Sequence, residues 1–473
     1  MKPARLHHAA WLLALLCLLC TKAAAANLAF TVATSEPAVV TGAPRIAIDV
    51  GGVTRYATYV SGSGTSALTF SYAVQAGDFD ADGITVTAPL ELNGGSIADV
   101  AGNTASNLSF TLPDTSALKV QTYTTAFTTN PITEANASAV GFTIAKAPTG
   151  ASFTYPITSD GGSGSVTGSG TIGSNSQTVS GLDLSNLPVG TLTLSVTVST
   201  AASGTGAART ATATPGFTGI LDSLSPAASF SIRRVRGAYS GPLIRVRRAS
   251  DGTQQDIGAT LLGHLNTQAL SSFCGVSSCF DTTWYDQSGN GRDAAQATAA
   301  NQPRIVNAGV MDTAGRRPSL VWPSAANTTF LRTAVTFSVG AVSVVSQHDD
   351  GARTGWISDF VGLFGSTGVS IVGTAAGTST LWHSPSFQNW ARNGAALASS
   401  VSAVALPWPW ATMYATATPA FGTQWSIGCD RTLALRGWSG PISEFLMFPA
   451  ALTASDRLSI ENSQSAYFGV SVP

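Results

Sequence analysis

Charged residues make up only 10% of this 473-residue chain, so the places where carboxylates gather are where chemistry is first sought. Asp78, Asp80 and Asp82 alternate in the run DFDADG before Gly83. Alternate carboxylates in a turn are the donor pattern of an oxygen-ligated calcium ion. The twelfth position of that loop is Pro89 rather than a closing glutamate, which rules out an EF-hand. What remains is a weaker structural calcium completed by Asp99 or Asn103, and no other cofactor is required. The bland alternative is a solvated hairpin turn. A second group of acids, Asp349, Asp350, Asp359 and Asp430, could supply the carboxyl pair that glycoside hydrolysis needs. His348 beside two of them reads more simply as part of a solvated HDDG turn. Trp382, Trp390, Trp408 and Trp410 stand among Ser, Asn and Pro residues, where exposed rings would stack on the apolar faces of sugars. Two prolines in PWPW remove ladder donors, so Trp408 and Trp410 are expected in a loop or at a sheet edge.

The elements that must position these residues are strands. AFTVAT, RIAIDV, YATYV, LTFSYAV, GITVTA and LSFTL alternate in polarity between Gly, Asn and Asp clusters, the pattern of half-buried strands in a sandwich. TLTLSVTV at 191–198 alternates just as strictly. The tract GGSGSVTGSGTIGSNSQ keeps regular apolar positions and is read as two further strands rather than a linker. The expected fold is all-β: two N-terminal Ig-like sandwiches at 27–114 and 115–216, then a larger sandwich at 217–473, for which the family resemblance given below implies a concanavalin A-like jelly roll. Residues 1–26 read as a secretory leader, with Lys2 and Arg5 before the apolar run 11–19 and small residues at 23–26. A secreted or surface location follows, with no membrane span. In that oxidising setting Cys274 and Cys279, which enclose four residues, read as a disulfide loop, and Cys429 as a buried thiol.

Composition narrows the partners. A formal net charge of -1 gives no broad attraction to nucleic acid or anionic lipid. No tryptophan lies between 27 and 215, whereas nine of the chain's 10 lie beyond, so any chemistry is expected in the C-terminal part. The strand-turn-helix setting of a serine-hydrolase elbow is missing from so strand-rich a sequence.

Two segments carry resemblances. LTFSYAVQAGDFDADGITV and LNGGSIADVAGN resemble the Ig-like repeats of bacterial surface adhesins, which implies spacer modules. Cys274, Cys279 and the run Tyr285-Asp286-Gln287-Ser288-Gly289-Asn290-Gly291 resemble the catalytic domain of α-L-arabinofuranosidase B enzymes, and YDQSGNG also resembles a turn of laminin-G-like lectin domains. In the arabinofuranosidase family a glutamate nucleophile follows a pair of adjacent cysteines. This chain has neither there, and its only C-terminal glutamates, Glu444 and Glu461, lie in segments that read as architecture. The expected function is therefore a carbohydrate-binding adhesin acting on extracellular polysaccharide. An arabinofuranosidase is the alternative, and a purely structural surface module the third reading.

Overall fold

A computed structural model of the chain describes residues 13–14, 27–323, 328–348, 361–363, 372–374, 381–383, 387–397, 408–428 and 438–472. Within these the molecule is all-β: strands in several sandwich-forming sheets, with two short α-helices, Thr267–Cys274 and Ala454–Phe468.

The first unit is an antiparallel sheet in which Asn27–Thr41 pairs with Thr65–Ala73, followed by Val53–Ser61, Arg45–Val50 and Thr85–Glu91. Leu13–Ala14 pairs with Thr31 and Val32 on the outer side of Asn27–Thr41. Alternation drives these strands: in RIAIDV every second side chain (Ile46, Ile48, Val50) is buried with Phe30, Leu68 and Phe70. The second unit packs a three-stranded sheet (Thr124–Phe127, Val140–Ala145, Ser176–Leu182) against a five-stranded one centred on Ser152–Ser159 and Leu192–Thr200. The Gly/Ser tract does form two strands, Ser165–Thr171 and Ser176–Leu182, and each joins a different sheet.

The C-terminal unit is built around Gly440–Phe448. It pairs with Phe337–His348 on one side and with Leu320–Trp322 and Ala228–Ser231 on the other. All nine residues of Gly440–Phe448 are buried, since the closing helix covers one face and the main core the other. That helix is capped by Thr453, whose Oγ1 accepts from the Asp456 N–H at 3.1 Å, and ends at Gly469 in the left-handed region.

Residues 408–410 of PWPW form a strand end rather than a loop, with Pro409 exposed. Trp408–Thr423 is a 16-residue strand lying between Phe337–His348 and Phe387–Arg392. Pro409 is tolerated because it falls in a register irregularity, where His348 opposes Trp408 and Ser346 opposes Ala411. There the missing N–H breaks no ladder bond.

Candidate functional site

The YDQSGNG run lies on the turn that leaves strand Cys279–Trp284, and its polar atoms are spent on the fold. Asp286 accepts from the backbone N–H groups of Ser229, Ser288 and Arg292 at 2.9–3.0 Å. Gln287 is fully buried. Its Oε1 accepts from Val235 N–H at 2.9 Å, and its Nε2 donates to the carbonyls of Ser231 and Arg233 at 3.0 and 2.9 Å. Asn290 Nδ2 donates to the carbonyls of Pro226 and Ala227. Gly289 and Gly291 take φ of 89° and 67°, a region open to glycine at little cost. The motif thus supplies the hydrogen bonds of a neighbouring strand to segment 226–235 and staples it to the sheet.

Both C-terminal glutamates are structural. Glu444 is completely buried; it accepts from Ser231 Oγ at 2.8 Å, Arg233 Nε at 2.9 Å and Gln464 Nε2 at 3.1 Å. Arg233 itself lies over the Tyr467 ring and donates to Ser463 Oγ, so strand, helix and sheet meet at one ion pair. Glu461 accepts from Arg457 Nε at 2.9 Å within the closing helix.

The other described acids of this unit are engaged in the same way, with one exception. Asp222 accepts from Gly219 and Gly237 N–H. Asp251 holds Arg248, and this ion pair pulls its carboxyl below the usual range. Asp256 is forked by Arg245 and also accepts from Tyr285 Oη; Asp312 is forked by Arg304. Asp293 accepts from Asp286 N–H, and Asp456 caps the helix with Thr453.

The exception is Asp281. Its carboxyl is wholly buried, and neither oxygen has a hydrogen-bond partner of good geometry. Burial pushes its pKa well above the usual carboxylate range, opposed only by the nearby Thr283 amide. The sequence reading missed this residue. The signal was available in CFDTTW, where alternation from the inward Cys279 also points Asp281 inward.

The sequence-picked residues are scattered. Asp349, Asp350, Asp359 and Asp430 lie outside the described residues, as does Cys429. His348, which precedes two of these aspartates, is buried edge-on against Trp438 at 4.7 Å, and Trp438 Nε1 donates to the Gln347 carbonyl at 2.9 Å. His348, the first residue of HDDG, therefore stands at a buried strand end.

Two of the four tryptophans have described side chains, and neither matches an exposed platform. Trp390 is 4% exposed and sits in the core. Trp410 packs on that core and donates from Nε1 to the Phe468 carbonyl at 2.9 Å, plugging the end of the closing helix. Trp382 and Trp408 occupy strands Leu381–His383 and Trp408–Thr423, and their side chains fall outside the described set.

The calcium motif is likewise drawn into hydrogen bonds. Asp78 accepts from Arg55 at 2.8 Å, Tyr72 Oη at 2.5 Å and Gln75 N–H at 2.7 Å, and burial with this bond raises the Tyr72 pKa to about 12. Asp80 spans Gly51 N–H at 2.8 Å and Gly83 N–H at 2.7 Å. Among the described residues, no three His, Cys, Asp or Glu side chains converge as a metal site. Cys274 and Cys279 form the expected disulfide, which ties the helix Thr267–Cys274 to strand Cys279–Trp284.

Comparison with known proteins bears on one part of the chain. Residues 223–355 match the family model "Alpha-L-arabinofuranosidase B, catalytic". Alpha-L-arabinofuranosidase B of Emericella nidulans is 43% identical over 72 residues, 15% of this chain and 14% of that protein. Alpha-L-arabinofuranosidase of Hypocrea jecorina is 41% identical over 71 residues, again 15% and 14%. The chain thus spans about 14% of the length of these curated relatives. A crystal structure of arabinofuranosidase complexed with arabinofuranosyl-alpha-1,2-xylobiose is 15% identical, covering 51% of this chain and 63% of that one at a TM-score of 0.37, too distant to place any catalytic residue. No helix among the described residues is long and apolar enough to cross a membrane.

These matches overturn the expected adhesin and its laminin-G-like lectin domain. That expectation rests on a missing glutamate and on four tryptophans as a sugar-facing surface; of these, Trp390 is buried and Trp410 half-buried. Residues 223–355 carry sequence similar to the arabinofuranosidase B catalytic domain.

Proposed function

We propose that the C-terminal unit is a glycoside hydrolase of α-L-arabinofuranosidase type, releasing terminal arabinofuranosyl groups from extracellular polysaccharide. The observation that carries this reading is the match of residues 223–355 to the arabinofuranosidase B catalytic model. We place its action outside the cell, after removal of a leader at 1–26, with 27–114 and 115–216 as the two preceding units and 217–473 as the catalytic one.

Such hydrolysis needs two carboxyl groups, about 5 Å apart for retention or about 6.5–9.5 Å for inversion, with one donating a proton to the leaving oxygen. Elimination supports where they come from. Glu444, Glu461 and the described aspartates of the C-terminal unit other than Asp281 hold backbone, arginine or hydroxyl partners, and Asp281 is sealed in the core. Asp349, Asp350, Asp359 and Asp430 remain, and we assign the pair to these four. This departs from the family's glutamate nucleophile and makes the pair aspartate-based.

The test uses the full-length chain with an aryl α-L-arabinofuranoside and with branched arabinan and arabinoxylan. Release of the aryl group and of free arabinose is expected. Failure to release either from every substrate, by protein shown to be folded, overturns the reading.

A further inference from the structure

We propose that the two N-terminal units are not a flexible tether but a rigid stalk, because each junction exchanges core side chains between the units it joins. This inference is independent of the hydrolase reading.

At the first junction, Phe79–Asp80 from the first unit pairs antiparallel with Val120–Gln121, which leads into the second. Phe79 and Ala81 are 4% and 6% exposed and belong to the second unit's core, packed with Tyr123. Val120 runs the other way, into the first unit's core with Ile84 and Val86. Asp78 and Asp80 brace this crossing from the first unit, where all their carboxylate partners lie. Asp78 fixes one side of the loop to Arg55 and Tyr72, and Asp80 ties it to Gly51 and Gly83. On the far side Gln121 accepts from Ala207 N–H, and its carbonyl accepts from Arg209. The acidic motif that suggested an ion site is better explained as a joint.

The second junction repeats the device with different residues. Val189 N–H donates to the Ala259 carbonyl and Leu261 N–H to the Leu187 carbonyl, both at 2.9 Å, a two-bond antiparallel bridge around Pro188 and Thr260. Leu261, from the C-terminal unit, is 3% exposed in the second unit's core; Val189, from the second unit, is 5% exposed in the C-terminal core. The connecting chain is not slack either. Gly216 N–H donates to the Ile132 carbonyl at 2.7 Å, and Phe217 lies under the Arg234 guanidinium.

A backbone bridge fixes direction, and an apolar side chain buried in each sense ties each unit's packing to its neighbour's, so reorientation would expose core surface on both sides. The C-terminal unit is therefore held at a fixed distance and attitude from the start of the stalk, and its own core is completed by Val189.

Hydrogen exchange read by mass spectrometry on the full-length chain tests this, with Leu261→Ala compared to wild type. The stalk predicts at least a tenfold loss of protection in Leu192–Thr200, which belongs to the other unit. Should Leu261→Ala not fold, Leu261→Val and Val189→Ala give the same reading in milder form, the latter lowering protection in the C-terminal strands near Ile257. Small-angle scattering of wild type should fit one rigid arrangement. Loss of protection confined to the unit that carries the substitution, or scattering that requires a broad range of inter-unit angles, would overturn the proposal.

Discussion

The DFDADG and YDQSGNG turns look alike in kind, each a polar run with aspartate and glycine between strands, and the structure uses both as fasteners. Gln287 and Asp286 staple two segments of one sheet and are buried while doing so. Asp78 and Asp80 bond within the first unit and hold the loop whose Phe79 and Ala81 enter the second, with Arg55 on the half-exposed side. The contrast teaches that an aspartate whose oxygens face backbone N–H groups in a turn is committed to architecture, however suggestive its spacing. A reacting carboxylate has to be sought among acids without such partners.

If the two turns differ as described, their variants should separate by size of effect. Gln287→Ala leaves one buried N–H and two buried carbonyls unpaired, and each costs about 1–3 kcal/mol. We expect the C-terminal unit to lose about 3–5 kcal/mol, read as a lower denaturant midpoint of tryptophan fluorescence, the tryptophans of 27–473 all lying in that unit. Asp78→Ala removes partners that are partly reachable by water, so a loss of about 1–3 kcal/mol is expected. It should register in the first unit with the tryptophan signal unchanged. Equal effects in both units would dissolve the comparison.

Asp281 sharpens it from the opposite direction, as an acid with no partner. Its folded-state pKa is raised, so it favours folding only while protonated, and stability declines as pH rises above the ordinary carboxylate range. Asp281→Asn removes the charge, and thermal melts should show stabilisation of about 1 kcal/mol or more at neutral pH, shrinking towards pH 4. A variant less stable at neutral pH would contradict the burial argument. The smallest effect belongs to His264, packed on Tyr467 near the second junction. Burial first, then Arg317 and Arg233, lower its pKa against the pull of Glu134. Its contribution is therefore present above its unfolded value and fades as pH falls through the folded one. Below about pH 6.5, melts of wild type should drop slightly relative to His264→Gln.

Much of the fold was legible because it is local. Strict alternation in TLTLSVTV became Leu192–Thr200 with every second residue buried, and the spacing of Cys274 and Cys279 became a disulfide. What was not legible depends on partners distant in sequence. Gly440–Phe448 is buried on both faces, so alternation does not tell which sides are covered. PWPW is legible only as a loop or an edge, because the irregularity that lets Pro409 end a strand is set by Ser346 and His348 on another strand. Phe79, Val120, Val189 and Leu261 look like ordinary core residues of their own units, and only the three-dimensional packing assigns them to their neighbours. The site was least legible of all, since carboxylate separation is set by long-range register and no local spacing reports it.

The most direct test of the hydrolase account is the turnover of an aryl α-L-arabinofuranoside by four full-length variants, Asp349→Asn, Asp350→Asn, Asp359→Asn and Asp430→Asn, beside Asp286→Asn as an architectural control. The account predicts that two of the four lose activity by on the order of a thousandfold while keeping the wild-type melting temperature. All four retaining turnover within about tenfold of wild type would contradict it.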